Sequence, residues 1–200
     1  MKKILLFLAM FILVASTVSA EGSFSESILN KDAKKIALFI GIDKQWAAKP
    51  KEMQDYIHQG TKDKLTPHNV YVMPIDQTQK ILRSYIRENN LVENAREADQ
   101  GVNLRKQDFH KLAEESGADY VMYVATRFTA GETKRNFWSG QRNQGTVICD
   151  VLLIKKDGTQ YIIDESFSDT GSSSGSWQRV FTRALKKAFT ELEIPENAFD

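Results

Sequence analysis

Lys35-Ile36-Ala37-Leu38-Phe39-Ile40-Gly41-Ile42 decides the fold class. The run is short and continuously apolar, with no alternation, so both of its faces must be covered. That predicts a central strand with helices packed over it. Downstream, residues 51–65 read as a helix with Met53, Tyr56 and Ile57 inward, ended by Pro67. Val70-Tyr71-Val72-Met73-Pro74-Ile75 is a second strand, and Pro74 places it at an edge or ends it. Asp76 then reads as the N-cap of a helix over residues 77–88, with Thr78, Ile81, Leu82, Tyr85 and Ile86 on one face. Residues 89–101 are polar and carry no clear pattern. A helix over 104–116 turns Phe109, Leu112 and Ala113 inward, and Gly117 stops it where a residue without a Cβ costs least.

Beyond Gly117 the pattern changes to strands. Residues 118–128 are rich in β-branched and aromatic side chains. Residues 145–155 and 160–168 flank Lys156-Asp157-Gly158-Thr159, and Asp-Gly between two such runs signals a hairpin. Gly171-Ser172-Ser173-Ser174-Gly175-Ser176 reads as a loop. The closing helix, 177–193, lines up Phe181, Leu185, Ala188, Phe189 and Leu192 before Pro195. The order is β-α-β-α-α-β-β-β-α. This is an α/β (α+β) chain with one domain over residues 35–194, a mixed sheet of about five strands flanked by helices. Residues 21–34 are expected as a flexible lead-in and 195–200 as a tail.

The amino terminus predicts export. Lys2 and Lys3 precede an unbroken apolar run over residues 4–14, and Val18-Ser19-Ala20 supplies the small residues a signal peptidase needs. As a helix that run spans only ~17 Å, short of a ~30 Å hydrocarbon core, so a signal peptide cleaved after Ala20 is expected rather than an anchor. No cysteine lies near the cleavage site, so lipid anchoring is not expected. The 200 residues carry 27 Lys+Arg and 26 Asp+Glu, a formal net charge of +1. A field that small draws in no polyanion, which excludes a strongly basic nucleic-acid binder. Loss of Lys2 and Lys3 with the leader takes the 27 basic residues to 25 against 26 acidic, a net of about −1. Cys149 is the single cysteine, so there is no internal disulfide framework. Its apolar surroundings predict a buried, inert thiol.

The stretch Phe109-His110-Lys111-Leu112-Ala113-Glu114-Glu115-Ser116-Gly117-Ala118-Asp119-Tyr120-Val121-Met122-Tyr123-Val124 resembles a helix–Gly-Ala-Asp-Tyr–strand junction. That junction recurs in periplasmic proteins related to the curli secretion-channel family and the amino-terminal domain of TolB. The apolar opening strand, the hairpin at Gly158 and the small-residue loop before the closing helix follow the same order over roughly residues 35–192. The resemblance implies a periplasmic binding or assembly module. Three departures stand beside it. No anchoring cysteine is present, and the chain leaves no room for the TolB propeller. The third concerns the membrane hairpins of the curli channels. The segment in their place, residues 132–144, carries Lys134, Arg135, Gln141 and Arg142, a composition that does not suit a pore.

Several constellations could carry chemistry. Asp43 and Asp76 each follow a predicted strand, so parallel pairing would put both carboxylates at the carboxyl edge of the sheet. There they could hold a divalent cation or act as an acid/base pair; otherwise Asp76 caps its helix and Asp43 solvates a loop. His58, His68 and His110 are scattered over separate elements and match no zinc pattern. Ser174 and Ser176, before the closing helix, could cradle an anion with the helix amides, or simply form a loop and cap. No Gly-x-Ser-x-Gly elbow and no nucleotide phosphate loop occurs. Trp46, Trp138 and Trp177 fall in loops or at a helix start. Phe137 and Trp138, beside Arg135 and Arg142, have the composition of an interface or of a lid folded on the core margin.

Together these readings predict a secreted or periplasmic, non-enzymatic binding or envelope-assembly module. It acts through an envelope protein partner, with no cofactor, no nucleic acid and no stable membrane insertion after the signal is cleaved. The alternative is a metal- or anion-dependent small-ligand binder or enzyme built on Asp43 and Asp76.

Overall fold

A computed structural model describes residues 33–42, 50–91, 104–137, 140–158 and 161–200, and the fold is that of Lys34–Asp200. In chain order it runs β1 (Lys34–Gly41), α1 (Pro50–Leu65), β2 (Val70–Val72), α2 (Ile75–Glu88), α3 (Lys106–Ser116), β3 (Tyr120–Asn136), β4 (Gly140–Lys155), β5 (Tyr161–Ser173) and α4 (Trp177–Thr190). The predicted order holds. The five strands form one sheet in the order β2-β1-β3-β4-β5. β1 pairs in parallel with β2 and with β3, whereas β3, β4 and β5 run antiparallel.

The continuous apolar run takes the interior place it predicts. Every residue of Ile36–Gly41 is buried, because β1 has a strand on each side and helices on both faces. On one face Ile36, Leu38 and Ile40 join Met122, Val124, Cys149 and Val151 beneath α1 and α4. On the other, Ala37, Phe39, Val121 and Tyr123 meet Leu82, Tyr85 and Ile86 of α2 and Phe109, Leu112 and Ala113 of α3. β2 is an edge strand and ends before Pro74, which has no N–H to give a ladder. Gly117 closes α3 in the left-handed region at φ 61°, and Gly158 takes φ 59° in the turn after β4.

Three expectations change. Asp76 does not cap α2: the helix starts at Ile75 with Pro74 at the N-cap, so Asp76 lies in the first turn, exposed. A carboxylate there still favours the helix through its dipole. The strand expected to stop at Phe128 continues to Asn136, and β4 begins at Gly140, so most of the supposed connection is paired ladder. β5 likewise runs through Gly171 to Ser173, leaving only Ser174 to Ser176 between strand and helix.

Candidate functional site

The extra length of β3 and β4 makes an arm. Beyond a register shift between Ala130 and Thr133, the two strands stay paired from Thr133↔Asn143 to Asn136↔Gly140, whereas β5 ends against Asn143 at Ser173. The arm thus projects past its neighbour. From Thr129 to Arg135 every side chain is exposed, as are Gly140 to Arg142. Phe137, at the turn, is 93% exposed and is the exposed large hydrophobic residue among those described. Lys134 and Arg142 are direct cross-strand partners, and Arg135 faces Gln141. The structure therefore gathers Arg135, Phe137 and Arg142 on one element. Trp138 lies outside the described residues, as do Asp43 and Trp46.

The base of the arm is clamped. Asn143, 5% exposed, accepts from Thr133 Oγ1 at 3.0 Å and from Gln141 Nε2 at 3.2 Å on its Oδ1. Its Nδ2 donates to the Gly175 carbonyl at 3.1 Å, tying the arm to the corner before α4. Arg142 donates to Ser172 Oγ at 2.8 Å, and Arg183 of α4 donates to the Ser172 carbonyl at 2.6 Å. Arg142 is thereby turned back toward β5. Nothing in the run Gln141-Arg142-Asn143-Gln144 marks Asn143 as the buried member, so sequence reasoning passes over it.

Below the arm, the antiparallel strands show a polar face. Thr129, Thr146 and Thr170 stand in one row across β3, β4 and β5, with Thr146 Oγ1 and Thr170 Oγ1 3.0 Å apart. Arg127 grips Asp150 through two hydrogen bonds of 3.0 and 3.1 Å, and Ser166 donates to the same carboxylate at 2.6 Å. β5 is the open edge of the sheet on this side. Lys187 and Arg183 reach from α4 to the carbonyls of Thr170 and Ser172, which occupies part of that strand's backbone.

The other predicted residues do not converge. Ser174 and Ser176 are exposed, and Ser176 holds the N-cap of α4 without a side-chain capping bond; Ser173 is the buried serine, accepting from the Gly175 N–H. His58 Nε2 lies 3.3 Å from the Met73 carbonyl, and His110 Nδ1 lies 3.0 Å from that of Lys156. His68 meets the Phe199 ring edge-on at 5.2 Å. Among the described residues no three His, Cys, Asp or Glu side chains cluster to hold a metal. Trp177 packs half-buried against Phe128, a role in the core margin. Cys149 is fully buried, and burial pushes its thiol up to about 12, with Asp150 adding to the rise. Among the described residues no helix is long and apolar enough to cross a membrane.

No protein-family model matches the chain, and no curated protein matches it. Solved structures do. The chain is similar to lipoprotein GNA1162 from Neisseria meningitidis, at 17% identity and a TM-score of 0.43, over 79% of this chain and 95% of that one. It is similar to the hypothetical protein CT253 from Chlamydia trachomatis, at 10% identity and a TM-score of 0.43, over 80% and 92% of the two chains. The third is the LpoB C-terminal domain from Salmonella enterica, at 10% identity and a TM-score of 0.32, over 76% and 92%. At these values the likenesses assign no function, and the narrower resemblance to the curli channel family and TolB is not among what they show.

Proposed function

We propose that this protein is an exported, non-catalytic binding module of the cell envelope that takes part in assembly by engaging a protein partner. The observation that carries the reading is the clamped β3–β4 arm, which exposes Arg135 and Phe137 beyond the end of β5 and turns the exposed Arg142 back to Ser172. Trp138 belongs to the same turn by sequence. A paired, side-chain-clamped arm presents its contact residues with little ordering cost, and aromatic and arginine side chains are the anchors that interfaces favour. The flank of Arg142 and the adjoining edge of β5 form a continuous surface for that partner. The signal-peptide pattern over residues 1–20 supplies the route to the envelope.

The test is photo-crosslinking in the producing cells, from a reactive group at Gln144 beside Arg142 and from a control at Lys62 on α1. A protein adduct of defined mass from Gln144 alone, lost on Arg142→Glu, is the expected result. Equal labelling from both positions, or none from Gln144, would sink the assignment.

A further inference from the structure

We propose that the outer edge of β5 takes up an extended segment of the protein partner as a further strand of the sheet, and that this segment carries two consecutive basic residues. The strand pairing rests on the function proposed above, which already gives the partner the Arg142 flank and this edge. It adds how the partner is held and by what chemistry.

The open part of the edge follows from the hydrogen bonds. Lys187 and Arg183 of α4 donate to the Thr170 and Ser172 carbonyls, and the Thr170 N–H donates to the Asp169 carboxylate. Residues of that parity therefore turn their main-chain groups away from β4. The register runs unbroken from Leu153↔Ile163 to Asn143↔Ser173, so Asp164, Ser166 and Ser168 face outward as well. All three are exposed, and among the described residues nothing bonds to their main-chain groups on that side. The opposite edge of the sheet is guarded, since β2 has only three residues and Pro74 follows it closely. The stretch 162–168 holds neither lysine nor proline, guards that edge strands commonly carry. It holds acid instead. Asp164 and Glu165 are exposed, and neither has an ion-pair partner among the described residues. That charge selects the occupant. A second copy, paired about a two-fold axis at the middle of the run, would set the two Glu165 carboxylates directly opposite one another, a destabilising arrangement. A basic segment meets both acids favourably. Neighbouring residues of a strand project to opposite faces, so Asp164 and Glu165 call for two adjacent basic residues, one for each face. On the Glu165 face, the half-buried Phe167 gives an apolar residue of the added strand a ring to pack on. In strand addition the main-chain bonds supply affinity and the alternate side chains choose the partner.

Amide-resolved hydrogen exchange on the purified protein tests the idea. The probe is the capped peptide Thr-Val-Thr-Lys-Lys-Val-Thr, and the control has Glu-Glu at its centre. Antiparallel addition sets the two lysines across from Glu165 and Asp164 and a valine across from Phe167. With the lysine peptide at about ten times its Kd, exchange at Asp164, Ser166 and Ser168 should slow about tenfold. Glu165 and Phe167, whose amides face β4, should stay as they were. The glutamate peptide should bind about tenfold more weakly. Asp164→Lys with Glu165→Lys should reverse that preference and melt as the unaltered protein does, since both side chains are exposed. No slowing at the three outward amides, slowing at every β5 amide alike, equal binding of the two peptides, or an unreversed preference in the double variant overturns the proposal. In the producing cells the double variant should also lose the Gln144 adduct. An adduct that persists in it overturns the strand pairing and leaves the binding function standing. No adduct from Gln144 in the unaltered protein, with the exchange pattern present, removes the proposed function and leaves β5 an edge that accepts a basic strand.

Discussion

Asn143 spends its side chain three ways, accepting twice and donating once, while almost wholly buried. Asn143→Ala would remove three hydrogen bonds; the exposed Thr133 and Gln141 turn to water instead, so the cost is about 1–2 kcal/mol. Urea unfolding should show that loss, and hydrogen exchange should show the arm amides opening well before the rest of β3 and β4. If the arm stays as protected as before, the ladder alone holds it. Cys149 makes a different prediction. Its thiol is raised from 9.0 to about 12 in the folded protein. Below about pH 8 it is protonated in both states and has no effect on stability. Above that, the unfolded chain releases the proton and the folded one keeps it, so stability falls as pH rises toward 12. The difference amounts to about 1 kcal/mol between pH 9 and pH 10. Cys149→Ala should remove that component of the alkaline slope, read from urea midpoints at the two pH values. The burial of Cys149 was legible because apolar neighbours announce it; that of Asn143 was not, because its neighbours are polar and only its partners bury it.

At the scale of elements, the sequence announced strands wherever apolar residues recur and missed them where pairing alone sustains them. Residues 129–135 are exposed on both faces, so no alternation could mark them, and Gly131, Lys134 and Arg135 imitate a loop. The Gly171–Ser173 end of β5 was obscured in the same way, yet its glycine has a structural reason. A Cβ on Gly171 would lie 2.2 Å from the Val180 carbonyl oxygen and 2.8 Å from the Ala184 nitrogen, both backbone atoms of α4. Directly across the ladder, Gly145 leaves room for the Phe128 ring. The pair of glycines lets α4 descend onto the sheet and Phe128 lie beside Phe181 and Trp177. Gly171→Ala should therefore push α4 away and cost about 3 kcal/mol, the upper part of the overpacking range, because helix backbone cannot yield as a side chain can. Thermal melting tests this, and a variant that melts normally would mean that α4 slides freely on β5. Gly140 meets nothing within 4 Å and serves as the contrast, although its own φ of 70° penalises a side chain there.

For the whole molecule, the local patterns gave each half its character but not the join between them. β1 lies beside β3 in parallel, from Ile36↔Tyr120 to Gly41↔Ala125. Asp119 secures the start of that pairing by accepting from the Lys35 N–H, 84 residues away, at 2.8 Å. No short-range periodicity records a contact so distant. The same holds for the carboxyl terminus, where the polar residues after Pro195 read as a tail. Ala198 is buried, and Phe199 meets Tyr120 edge-on at 5.1 Å and His68 at 5.2 Å. Tyr120 is fully enclosed, and burial first, then nearby carboxylates that include Asp200, raises its phenol above the ordinary value. The last residues thus seal the entry of β3 into the core. Deleting residues 195–200 should cost about 2 kcal/mol, from a half-buried ring, a buried methyl and the edge-on aromatic contacts. For a domain of this size that lowers the melting temperature by about 4–8 °C. The same deletion should bring one tyrosine's ionisation down toward the ordinary range in an absorbance titration, since Tyr120 loses both its cover and the Asp200 charge. A drop in melting temperature without that shift would place the terminal residues against the helices rather than over Tyr120, and the sheet would then be sealed by other means.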